Sequence, residues 1–147
     1  MAVSTLEAIA KPLENSGVYA VSVMDARCNQ VYTAQFDCEN GFSRVTDDDA
    51  LSIEALGEQL KSVNKIKILI GDGALLCYNK MKDVVKDIEL APLNIRYQSA
   101  SSVALIAYDN YVLSGESCFV DSNRLVPNYL RLSQAERELK KKQENEI

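Results

Sequence analysis

Three short stretches of this 147-residue sequence carry residue types that could do chemistry. The first is Gly71-Asp72-Gly73, which follows the apolar run Ile66-Lys67-Ile68-Leu69-Ile70 and leads into a helical pattern. Strand, Gly-x-Gly, helix is the order in which backbone amides and a helix N-terminus hold a phosphate. A dinucleotide fingerprint, however, needs a further glycine where Leu76 is found, and a phosphate loop needs Lys followed by Ser or Thr. Asp72 would also oppose an anion. The competing reading is a tight strand-to-helix turn. The second stretch is Asp47-Asp48-Asp49. Adjacent carboxylates point in different directions, whereas magnesium needs oxygens that converge, so the run reads as a solvated loop before a helix N-terminus. The third is Asp25-Ala26-Arg27. A carboxylate and a guanidinium without a nucleophile make no catalytic site, and the pair reads as a turn braced by the Asp side chain.

Composition narrows the chemistry further. There is no histidine, which removes Ser-His and Cys-His nucleophile pairs and every histidine metal motif. The four cysteines, Cys28, Cys38, Cys77 and Cys118, form no C-x-x-C pair, so zinc is not expected and reduced thiols of a cytoplasmic protein are. A net charge of -5 and a pI near 4.8 argue against a broad nucleic-acid-binding face. No run of about eighteen apolar residues is present to span a bilayer.

The elements that must position these residues are legible in outline. Residues 3–15 read as an amphipathic helix, capped by Ser4 with Glu7 completing a capping box and irregular at Pro12. Val18 to Met24 is nearly continuous in apolar residues, as for a strand covered on both faces. Val31 to Phe36 alternates, and Asn29 suits the positive φ of the corner between them. Phe42 to Thr46 is expected to be a third strand. Ser52 to Val63 is a helix with Ile53, Leu56, Leu60 and Val63 on its buried stripe. The helix after Gly73 is predicted to run to about Ile88, Leu93 to Tyr97 to form a short strand, and Ser99 or Ser101 to cap a helix to about Leu113. That last helix would bury Val103, Ala104, Ala107 and Tyr111.

Val3-Ser4-Thr5-Leu6, Asp25-Ala26-Arg27, Gln30-Val31-Tyr32 and the closing Pro127-x-Tyr129-Leu130-Arg131-x-Ser133-x-Ala135-Glu136 resemble the second half of the TsaB (YeaZ) family, once grouped with glycoproteases. The element order then resembles one ribonuclease-H-like lobe of the actin, Hsp70 and sugar-kinase type. It is an α/β unit whose mixed sheet has three antiparallel strands followed by parallel strands, flanked by helices. The expected organisation is a connector helix over 1–16, the lobe over 17–118, and an extended segment with a terminal helix over 119–147.

The resemblance implies a non-catalytic subunit of the bacterial tRNA N6-threonylcarbamoyladenosine machinery, supporting TsaD together with the ATPase TsaE. It implies no cofactor for this chain, with ATP or ADP entering only through the full complex, and contact with tRNA only through partners. It implies no membrane. It makes Asp25, Arg27, Tyr129, Leu130 and Arg131 candidate partner contacts, with simple anchoring of the tail as the alternative for Tyr129 and Leu130. The alternative function is a nucleotide-binding or hydrolytic lobe using Gly71 and Gly73, or a self-associating lobe, including a homodimer. The family's first lobe, with its G-x-F-T-G segment and main TsaD-docking surface, has no counterpart in the sequence. The chain is therefore expected to be half of a two-lobed protein, produced as a domain or encoded by a split gene.

Overall fold

The computed structural model of the chain describes residues 1–130. Its central strand is β1 (Tyr19–Asp25), whose first five residues are all buried, as an apolar strand flanked on both edges and both faces must be. β1 pairs antiparallel with β2 (Gln30–Asp37) from Tyr19 opposite Asp37 to Asp25 opposite Val31. The corner is made by Arg27, Cys28 and Asn29 at φ 64, 53 and 59°, so the positive φ expected at Asn29 extends over three residues. On the other edge β1 runs parallel to β5 (Lys67–Ile70), which in turn runs parallel to β6 (Ile88–Leu90). The outer edge of β2 carries two short strands, β3 (Ser43–Arg44) and β4 (Asp49–Ser52). The order β3-β2-β1-β5-β6, antiparallel and then parallel, is the sheet expected of a ribonuclease-H-like lobe.

Alternation along the strands builds two apolar layers. Tyr19, Val21, Val23, Val31 and Leu69 face α2 (Ile53–Lys61) and α3 (Ala74–Met81), whose Ile53, Leu56, Leu60, Cys77 and Met81 complete that layer. Ala20, Ala34, Phe36, Ile68 and Ile70 face α1 (Thr5–Ala10), with Leu6, Ile9 and Ala10 against them. The Ser4 hydroxyl accepts from the Glu7 amide and caps α1 as its sequence indicates. Pro12 then tightens the chain into a 3-10 turn over Lys11–Leu13. Ser52 caps α2 in the same way, accepting from the Ala55 amide.

The structure departs from the sequence reading in three places. First, α3 stops at Met81, residues 88–90 form β6, and residues 93–97 are irregular rather than a strand. Met81, Val85 and Ile88 all face the same layer, so helical spacing continues in the sequence after the helix has ended. Asp87, at φ 51°, turns the chain onto the sheet edge. Second, the third strand is split. The Gln35 carbonyl accepts from both the Val45 and Thr46 amides, which breaks the ladder between β3 and β4. The Asp47–Asp49 run is only in part the solvated loop expected: Asp47 and Asp49 are exposed, but Asp49 pairs opposite Thr33 in β4, and Asp48 is bonded by Ser4 and Arg44. Third, α4 (Ala100–Ser114) buries Ser102 and Ile106, not the stripe through Val103 and Tyr111. α4 is apolar around most of its circumference, so periodicity could not select a face. Ile106 and the ion pair between Asp109 and Lys11 select it instead.

Candidate functional site

The C-terminal ends of the parallel neighbours β1 and β5 bring Asp25, Arg27 and the Gly71–Gly73 turn into one corner, the position where open α/β sheets place their ligands. Gly71 sits at φ +117°, and a Cβ there would lie 2.1 Å from the Val23 carbonyl oxygen. A Cβ on Gly73 would lie 3.1 Å from the Asp25 nitrogen. Both glycines therefore let the turn lie directly on the β1 backbone. Their amides are already used: Gly71 donates to the Arg96 carbonyl at 2.8 Å and Gly73 to the Val23 carbonyl at 3.2 Å. A phosphate at this turn would have to displace those bonds.

The charges at the corner are also the wrong sign for an anion. The Asp72 carboxylate accepts from the Asp25 amide at 3.2 Å. The Asp25 carboxylate accepts from the Arg27 amide at 2.8 Å, the Asx-type brace read from the sequence. The Arg27 guanidinium approaches Asp25 only at 3.9 Å and is 88% exposed, free to meet something outside the chain. One turn into α3 the Cys77 thiol is buried and pushed up to about 12, by desolvation first and by the negative charge of Asp25 second. A thiol held protonated in this way is not a nucleophile. Among the described residues no three Cys, Asp or Glu side chains are grouped to hold a metal ion.

On the other side of β1 lies a groove of about 1000 Å³, bordered by Val3, Leu6, Met24, Tyr32, Val103 and the segment from Leu125 to Leu130. Tyr129 stands at its rim, 82% exposed, and Leu130 is half-buried. Arg131 and the capping pattern from Ser133 to Glu136 lie outside the described residues. Among the described residues Asp48 is the single charged side chain lining the groove, and it is bonded by the Ser4 hydroxyl at 2.9 Å and the Arg44 guanidinium at 2.6 Å. Arg44 also reaches Glu7 at 3.1 Å and lies over the Phe36 ring at 4.8 Å. Burial lowers its pKa, but the bonds to Asp48 and Glu7 outweigh this and raise it. With Asp48 neutralised, the described side chains of the groove suit an apolar or aromatic anchor.

Sequence reasoning brought Asp25, Arg27, Gly71 and Gly73 forward, and the fold gathers them at one corner. It missed the groove, whose walls come from segments more than 100 residues apart. It also missed the Ser4–Asp48–Arg44–Glu7 network, because nothing local links residues 44 apart in the chain.

No protein-family model matches the chain, and no curated protein does. Its fold does match solved structures. YeaZ from Pseudomonas aeruginosa superposes with a TM-score of 0.61 at 16% identity, over 88% of this chain and 59% of that one. An uncharacterized protein with similarity to peptidase YEAZ, from the same organism, gives 0.62 at 16%, over 89% and 58%. The chain thus spans little more than half the length of either, and what it shares with them at this identity is a YeaZ-like fold.

Proposed function

We propose that this chain is a non-catalytic lobe of the tRNA N6-threonylcarbamoyladenosine machinery, equivalent to the second half of a TsaB protein, and that it supports TsaD together with TsaE. The observation that carries this reading is the YeaZ-like fold over 88–89% of the chain. The sequence resemblance at Val3–Leu6, Asp25–Arg27 and Pro127–Glu136 supports it from an independent direction. In this reading the exposed Arg27 guanidinium, with Asp25 holding its turn, Tyr129 and Leu130 at the groove, and Arg131 of the same sequence motif are the partner-facing residues. ATP and ADP belong to the assembled complex, tRNA is met through partners, and the protein works in the cytoplasm.

The test is co-purification of tagged chain with TsaD from the same organism, with and without TsaE and ATP. Retention of TsaD that is lost on Arg27→Ala or Tyr129→Ala is the expected result. A well-folded chain that retains neither protein would overturn the reading for this half. The nucleotide-binding alternative is addressed by thermal melting with ATP, ADP and adenosine. The occupied Gly71 and Gly73 amides and the flanking Asp25 and Asp72 carboxylates lead us to expect no shift with any of them.

A further inference from the structure

α4 and the chain that follows it touch the rest of the fold along a narrow line. Only Ser102 and Ile106 of α4 are buried. Leu105, Tyr108 and Val112 share its outward face and are exposed, so they add nothing to its docking. From Gly115 to Tyr129 no residue is buried, and Leu130 is half-buried. The chain leading into α4 is held firmly up to Arg96. The Arg96 carbonyl accepts from the Gly71 amide at 2.8 Å, and its Nε donates to the Ala91 carbonyl at 2.8 Å. Residues 97–99, between that anchor and the first turn of α4, are exposed. A short run of this kind at the end of an element is where a hinge takes up changes of φ and ψ.

The charged tie across this line is built to open at small cost. Asp109, the single charged residue of α4, is bonded by Lys11 at 2.7 Å. Lys11 also holds Glu14 at 3.0 Å and lies 5.3 Å from the Phe42 ring centroid. Glu14 and Phe42 belong to the rest of the fold, so the ammonium keeps both when α4 leaves, and the half-exposed Asp109 returns to water. The groove depends on the same docking. Val3, Leu6, Met24 and Tyr32 line it from the sheet side, while Val103 and Leu125 to Leu130 line it from α4 and the chain beyond. We propose that residues 100–130 form a hinged arm, pivoting over 97–99 and latched by Asp109 on Lys11, whose docking closes the groove and whose release opens it without unfolding the sheet. The inference does not depend on the tRNA-modification reading.

The test is thiol labelling of the full 147-residue chain carrying Ser102→Cys, followed by mass spectrometry. Cys28 is exposed, and Cys38 and Cys77 are buried in the two apolar layers, so they report free access and global unfolding. The introduced thiol should react more slowly than Cys28 but about 100-fold or more faster than Cys38 and Cys77, because releasing the arm exposes far less than unfolding does. Lys11→Met, which keeps the apolar stem and removes the ammonium, should speed it about tenfold. Ile53→Val, in the layer on the other face of the sheet, should speed Cys38 and Cys77 about fivefold and leave the introduced thiol unchanged. An introduced thiol that reacts as slowly as Cys38 and Cys77, or as fast as Cys28, would overturn the proposal. So would one that is indifferent to Lys11→Met or that speeds up with Ile53→Val. If Ser102→Cys alters the circular dichroism spectrum, hydrogen exchange of the wild type makes the same comparison. Amides of residues 104–113 should then exchange ahead of those of Val21 and Val23, and exchange in step would overturn the arm equally.

Discussion

β1 and α4 are both written almost entirely in apolar residues, yet they occupy opposite environments. The first five residues of β1 are all buried, while α4 buries only two of its fifteen. The difference lies in what each element has around it. β1 has a hydrogen-bonded strand on both edges and an apolar layer on both faces, so every side chain has somewhere to go. α4 crosses the edge of the α1 layer and is held there by Ile106 and the Lys11–Asp109 pair. Apolar composition therefore marks a demand for burial, and position in the topology decides whether this chain alone meets it.

Four substitutions test that contrast, from the largest expected effect to the smallest. Gly71→Ala forces a Cβ to within 2.1 Å of the Val23 carbonyl at a φ of +117°, and the backbone there cannot yield without parting β5 from β1. A loss of about 4 kcal/mol or more is expected in urea denaturation. If this variant unfolds at the wild-type midpoint, the close approach at the corner is not what fixes the glycine. Phe36→Ala removes a fully buried ring that stacks on Phe42 at 4.9 Å and lies under Arg44, and should cost about 3–5 kcal/mol in the same assay.

Ile106→Ala removes the only large apolar anchor of α4. Its expected cost is about 2 kcal/mol, concentrated in α4, so hydrogen exchange should rise in residues 100–114 while β1 amides keep their protection. Uniform acceleration across β1 and α4 would mean that the two regions unfold together, and the contrast drawn here would fall. Asp109→Asn should cost about 1 kcal/mol near neutral pH. Burial lowers the Lys11 pKa, but bonds to Asp109 and Glu14 outweigh it and hold the ammonium above its ordinary 10.5. A lysine raised on folding stabilises fully below its unfolded value, and that stabilisation is lost as pH rises through the folded one. The difference in melting temperature between wild type and Asp109→Asn should therefore hold constant from neutral pH up to 10.5 and shrink above it. A difference that grows with alkalinity would show that the pair is not what docks α4.

How much of this was legible beforehand varies along the chain. The β1–β2 hairpin, the caps Ser4 and Ser52 and the stripe of α2 were all readable, because each is set within a few residues by side-chain spacing and local bonding. The end of α3 was misread because Met81, Val85 and Ile88 face one layer through two different backbone conformations. The Asp47–Asp49 run was read only in part because the partners of two of its residues, Ser4 and Arg44 for Asp48 and β2 for Asp49, come from elsewhere in the fold. At the site, the sequence named the corner residues but not their occupancy. That the Gly71 amide belongs to Arg96 and the Gly73 amide to Val23 depends on how close three chain segments approach.

By itself the sequence determined the alternation that sorts side chains between two layers, the turns and caps that delimit most elements, and the absence of histidine chemistry. These follow from local periodicity and from composition, which need no knowledge of the rest of the chain. The tertiary structure alone decided which face of α4 is buried, which charges neutralise one another around Arg44, and that a groove opens between the start of the chain and residues 125–130. Those features arise between segments far apart in sequence, where the energy of a contact depends on whether folding brings its two sides together.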